Sequence, residues 1–157
     1  LGIKYTAATP NNTSSEFLYC EDATALRASI RSNGGLANYS ANNVALSDRN
    51  VKKDIAPAGD YLAKICAIPV KTFRYNDQSE TEDLTLGVIA QEVQQAFVAE
   101  GLDATRYALF CSDTWYEVDG DRGRPSDPYT SDTEGAVEIT QLGVRYDQLL
   151  AFVIASL

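Results

Sequence analysis

In the stretch "ALSDRNVKKDI", residues 45–55, Ser47 and Asp48 stand just ahead of Arg49, Lys52 and Lys53. A hydroxyl and an amine brought together form a nucleophilic pair: the neutral amine takes the hydroxyl proton and the oxygen attacks a carbonyl. The chain contains no histidine. That removes Ser-His-Asp and Cys-His chemistry and leaves lysine as the obvious base. A lysine of ordinary pKa is neutral in roughly one molecule in 2,500 at neutral pH. As a base, Lys52 would therefore need desolvation or crowding by like charge, which Lys53 and Arg49 could supply. Ser47 and Lys52 are five residues apart. In a helix that spacing is about 500° of rotation, which puts them on different faces. In a straight strand it separates them by about 17 Å. They meet only if the chain bends, and the Asp and Asn of "DRN" favour a turn. The plain alternative is a solvated turn, since serine near lysine is common.

The composition narrows the setting. The chain has 157 residues, of which 45% are apolar, enough for one ordinary domain or a small domain with an appendage. Its net charge is -9, with 22 acidic against 13 basic residues. This argues against nucleic acid or an anionic membrane as partner, because both select a basic face. No run approaches the roughly 18 apolar residues of a membrane span, and no signal peptide opens the chain. The chain starts at Leu1 rather than Met, so a piece of a longer protein is expected. Cys20, Cys66 and Cys111 are far apart and outside any CxxC motif. Without histidine they exclude a Cys/His zinc site, and three thiols cannot make a four-thiolate one. Asp119 and Asp121 resemble the start of a calcium loop, but no Glu closes it at the twelfth position. No metal or cofactor is expected.

The elements that must position the pair read as follows. Residues 1–46 alternate in short apolar stretches (Leu26, Ala28, Ile30) between "SNGG" and "NYSANN", a pattern of short strands and hairpins. They hold too few bulky residues for a core and would need partner strands. Residues 57–68 predict a short helix capped by Asp60, with Leu62, Ile65 and Cys66 on one face and Pro69 ending it. "VKTFRYN" predicts a strand with Phe73 and Tyr75 on one face, followed by the polar loop "NDQSETED". Leu86, Val88 and Ile89 are expected to enter a helix carrying Val93, Ala96 and Phe97 on one side and ending at Gly101. "YALFCS" and "TWYEVD" suggest two strands, separated from the end by an exposed loop over 119–135. The terminal stretch is apolar at Leu142, Tyr146, Leu149, Val153 and Leu157, with Leu150 and Ile154 alongside. It reads either as a buried amphipathic helix or as a helix packed around a symmetry axis.

Three segments taken together, "LSDRNVKKDIAP", "IPVKTFRYND" and "LGVIAQEVQQAF", resemble the C-terminal intramolecular chaperone domain of phage tailspikes, tail fibres, neck appendages and endosialidases. A similar domain occurs in the eukaryotic myelin regulatory factor. The likeness covers about residues 46–97 and is weaker to 157. It implies an α+β fold: residues 1–46 as the end of a trimeric β-stranded stalk, then residues 47–157 as a mixed helix/strand chaperone domain with a C-terminal helix, in an intertwined homotrimer. It implies that the domain registers three upstream chains and then cuts itself off at Leu46–Ser47. In that scheme Ser47 is the nucleophile and Lys52 the base, and Asp48 holds the second motif position. Gln91 and Glu92 lie in the most recognisable helix and read as structural. The family often follows this phenylalanine with proline and an acid, where this chain has "FVAEG". The loop over 119–135 is expected to be an insertion. Assembly would take place in the bacterial cytoplasm, with the parent protein in the virion tail and the chaperone absent from the mature particle. Two rivals are a trimerisation tip that stays uncut and a host-glycan-binding tip using Trp115 and Tyr116. Trp115 reads more readily as a core or trimer-contact residue.

Overall fold

The computed structural model describes residues 3–41, 43–124 and 126–157. Asn42 and Pro125 lie outside these, within the expected "NYSANN" turn and the 119–135 loop, as do Leu1 and Gly2. The chain divides into two compact units, Leu1–Ile55 and Ala56–Leu157.

The first unit is an antiparallel meander of β1 (Glu16–Glu21), β2 (Leu26–Arg31) and β3 (Leu36–Asn38), paired in that order. Turn chemistry sets both hairpins. Asp22 accepts hydrogen bonds from the Thr24 hydroxyl, the Thr24 and Ala25 amides and the Arg27 guanidinium. Those bonds, led by the Thr24 hydroxyl and then Arg27, hold its carboxyl well below the ordinary range. At the second turn Gly34 takes φ +81°, which favours glycine, and Asn33 Oδ1 accepts from the Gly35 amide. Among the described residues of this unit only Ser29 is buried. Leu18, Tyr19, Leu26, Ile30 and Leu36 are exposed, so the short strands anticipated from residues 1–46 do form and enclose no apolar core.

The second unit holds the core. Its elements are α1 (Leu62–Cys66), β4 (Lys71–Phe73), β5 (Thr85–Gly87), α2 (Ala90–Ala99), β6 (Phe110–Glu117), β7 (Gly123–Arg124), β8 (Asp127–Pro128), β9 (Val137–Val144) and α3 (Tyr146–Ile154). With the first unit this makes a mixed α+β chain of three α-helices and several small antiparallel sheets among the described residues. The α2 stripe of Val93, Ala96 and Phe97 is buried as its spacing demands. Ile68, Ala104, Leu109, Phe110 and Phe152 close the cluster around it. The helix ends in a Schellman motif: Gly101 takes φ +72°, the Leu102 amide donates to the Phe97 carbonyl at 2.8 Å, and the Gly101 amide donates to the Val98 carbonyl at 3.0 Å.

Five expectations need correction. Leu86 does not enter the helix; it pairs with Thr72 in the β4–β5 hairpin, and Ile89 is still extended when α2 begins. "YALFCS" and "TWYEVD" are not two strands. Phe110–Glu117 runs unbroken because eight consecutive residues pair with β9. Leu142 lies in β9 rather than in the terminal helix, because pairing with β6 continues to Val144 and the Arg145 amide then donates to the Leu109 carbonyl at 2.9 Å. The helix that follows buries Phe152, a residue outside the anticipated seam. The helix over 57–68 shrinks to Leu62–Cys66, with the Leu62 amide donating to Asp60 Oδ1 at 3.0 Å; Ile65 packs against the core while Leu62 and Cys66 stay exposed. The "VKTFRYN" strand is likewise limited to Lys71–Phe73, although the Phe73 and Tyr75 rings still meet edge-on at 5.5 Å.

Candidate active site

The anticipated bend exists, and it begins with Asp48. Its Oδ1 accepts the Asn50 amide hydrogen at 2.8 Å and caps a single 3-10 turn, Arg49–Val51. Inside the turn the Val51 amide donates to the Asp48 carbonyl and the Lys52 amide to the Arg49 carbonyl, each at 3.2 Å. Asp-x-Asn is a local sequence signal for such an Asx turn. The reversal brings Lys52 back on Ser47: Lys52 Nζ donates to Ser47 Oγ at 2.8 Å. Ser47, Asp48 and Lys52 are thus gathered in one loop, but in different roles. Ser47 and Lys52 touch through their reactive atoms, whereas the Asp48 carboxylate is turned to the backbone.

This pair is open to solvent. Residues 43–55 are all exposed, and Leu46 is 84% exposed. No helix or strand includes the Leu46–Ser47 bond, so the bond itself is accessible. The amine is the donor in this contact. To serve as a base it must lose a proton and accept one from Oγ, and burial is the ordinary way to favour a neutral amine.

Elsewhere the structure engages residues away from the candidate pair. Lys71 on β4 bonds Glu92 on α2 at 2.5 Å, tying hairpin to helix. Tyr146 at the start of α3 accepts the Val88 amide hydrogen at 3.0 Å through its hydroxyl. That hydroxyl stands where a side chain on Gly87 would begin. An open groove of about 500 Å³ lies here, lined by Phe73, Tyr75, Gln91, Leu142 and Tyr146 among others. Trp115 is half-buried. Its Nε1 donates to Glu117 at 2.5 Å, and the Arg122 guanidinium lies 3.5 Å from its ring centroid. Tyr116 donates to Glu138 across the β6–β9 pair at 2.8 Å, which raises its hydroxyl pKa. Among the described residues, no three His, Cys, Asp or Glu side chains are grouped to hold a metal, and no helix is long and apolar enough to cross a membrane.

Residues 47–102 match a peptidase family described as chaperone of endosialidase. The match opens at Ser47 and closes just past the glycine that ends α2. A tail spike protein of Escherichia virus K5 is 30% identical over 88 residues, which cover 50% of this chain and 12% of that protein. The match therefore spans a small part of the length of that relative. Among solved structures, one described as a novel intramolecular chaperone covers 70% of this chain and 93% of its own, at 23% identity and a TM-score of 0.53. Over that part of the chain the two share a fold. The carboxy-terminal domain of the bacteriophage T5 L-shaped tail fibre, with its intramolecular chaperone domain, aligns over 87% of this chain and 40% of its own at 20% identity, with a TM-score of 0.45.

Proposed function

We propose that this chain is an intramolecular chaperone of a phage tail spike or tail fibre. It trimerises, brings three upstream chains into register, and then releases itself by cutting Leu46–Ser47. The observation that carries the reading is the 2.8 Å contact between Lys52 Nζ and Ser47 Oγ beside an exposed peptide bond. Assembly buries Lys52 and favours its neutral form. Ser47 Oγ then attacks the Leu46 carbonyl carbon while Lys52 takes the hydroxyl proton. The new C–O bond replaces the C–N bond, and Lys52 returns the proton to the departing Ser47 nitrogen. Water hydrolyses the resulting ester, leaving a carboxylate on Leu46 and a free amine and hydroxyl on Ser47. Asp48 is a positioning residue in this scheme, because it shapes the turn that brings Lys52 to Ser47. Severing the assembly aid makes the stalk kinetically stable, since dissociated chains cannot readily reassemble.

In this reading the chemistry runs in the bacterial cytoplasm during phage assembly. The parent protein goes to the virion tail and the chaperone is left behind. A second reading, an uncut trimerisation tip, draws on the exposure of both Ser47 and Lys52. A glycan-binding tip is less favoured, because Arg122 already occupies a face of Trp115 and Glu138 already engages the Tyr116 hydroxyl. Intact mass spectrometry of the chain carrying more of its upstream stalk decides between cutting and not cutting. Cutting yields a piece running Ser47–Leu157 that is absent from Ser47→Ala and Lys52→Ala. A single uncut mass in the unaltered protein, together with a trimer on native spectra, leaves the trimerisation tip.

A further inference from the structure

Scission at Leu46–Ser47 leaves Ser47 as the first residue of the released piece, with a free α-amine three bonds from its own hydroxyl. Every part of the turn that holds Lys52 against that hydroxyl lies downstream of the cut: the Asp48 cap, the Asn50 amide, the Arg49–Val51 turn and Lys52 itself. None of these hydrogen bonds is made with the residues lost, although the turn lies within the first compact unit. The apolar core also lies wholly downstream, between Ile68 and Phe152.

We infer that the released domain is an acyl acceptor, in which the Ser47 hydroxyl and α-amine together take an acyl group from an activated ester or thioester. This rests on the proposed site of cutting. A terminal hydroxyl with its own α-amine as base is an established nucleophile design. A free α-amine has an ordinary pKa near 8, so a useful fraction is neutral at neutral pH, unlike a lysine side chain. Ser47 Oγ attacks the ester carbonyl, its proton passes to the neutral α-amine, and the alcohol or thiol of the donor leaves with that proton. The acyl group then moves from Oγ to the α-nitrogen through a five-membered ring, and the nitrogen proton returns to Oγ. The balance is ester plus amine giving amide plus alcohol. Lys52 is a positioning residue here, holding Oγ in place by the 2.8 Å bond.

The test does not depend on self-cutting. The residues just ahead of Ser47 are replaced by the recognition sequence of a site-specific protease that leaves Ser47 first, and both pieces are kept together after the cut. Acetylation of the residue-47 nitrogen by p-nitrophenyl acetate is followed by peptide mass mapping. Delivery through the hydroxyl makes this nitrogen react at least about 10-fold faster than the same nitrogen in Ser47→Ala. Ser47→Thr, which keeps a hydroxyl, retains the advantage, and Lys52→Ala loses several-fold of it. Equal rates in the unaltered protein and Ser47→Ala overturn the proposal, whether or not the natural chain cuts itself. Retention of the full advantage in Lys52→Ala overturns the role given to Lys52.

Discussion

At the scale of single residues, the role of Asp48 rests on one hydrogen bond to the Asn50 amide. A cap needs an acceptor and not a charge. Asp48→Asn is therefore expected to retain cutting within a few-fold, while Asp48→Ala loosens the turn and slows it by roughly tenfold, the equivalent of a lost cap of about 1.4 kcal/mol. Time courses by mass spectrometry separate the two; a carboxylate acting directly in the chemistry makes Asn as poor as Ala. A second residue-scale prediction concerns Asp103, which caps the 3-10 turn Ala104–Arg106. It accepts the Thr105 hydroxyl at 2.6 Å and the Thr105 amide at 2.9 Å. These bonds, the hydroxyl first, lower its carboxyl below the ordinary value of 3.8. A depressed folded value means that the stabilisation is complete above the ordinary value and is lost as pH falls through the folded one. A carboxyl-carbon NMR titration is expected to place Asp103 below 3.8, and Thr105→Val to move it upward.

At the scale of elements, α2 anchors the second unit. Phe97 is fully buried and meets Phe152 of α3 at a ring-centroid distance of 5.4 Å. Phe97→Ala removes a large buried ring and leaves a cavity, so a loss of about 3–5 kcal/mol is expected in urea unfolding. The β4–β5 hairpin is held more lightly, by the Lys71–Glu92 pair and by the Tyr146 hydroxyl that accepts from Val88. Tyr146→Phe forfeits one hydrogen bond and should cost about 1 kcal/mol. Gly87→Ala is expected to do more, because its new methyl must displace the same hydroxyl, and faster amide hydrogen exchange at Val88 would report it.

At the scale of the whole molecule, the first unit has a meander without an apolar core, and α3 leaves Tyr146, Leu150 and Ile154 more than half exposed at i, i+4 and i+8. Both features suit a chain completed by copies of itself, as the proposed homotrimer requires. Leu150→Glu with Ile154→Glu is expected to shift the protein to monomer on native mass spectra while leaving its circular dichroism unchanged, since neither side chain belongs to the core. A trimer that survives both changes places the subunit contact elsewhere.

What the sequence determined by itself was local. The absence of histidine and the nearness of Ser47 and Lys52 defined the candidate chemistry, and "DRN" announced a turn. The α2 stripe and its glycine stop were legible because helix periodicity and capping involve neighbours within one or two turns of chain. The family likeness was carried by three short motifs of the same local kind. What only the tertiary structure decided depends on partners distant in sequence. A five-residue spacing fits several geometries, and only the folded turn puts Lys52 Nζ 2.8 Å from Ser47 Oγ. Nothing within Phe110–Glu117 says that it is one strand; β9, beginning at Val137, does. That same pairing claims Leu142 for the sheet, starts α3 later and turns Phe152 inward. Apolar spacing along one segment states that a face will be covered, but which residues cover it is settled by the element that arrives to pack there.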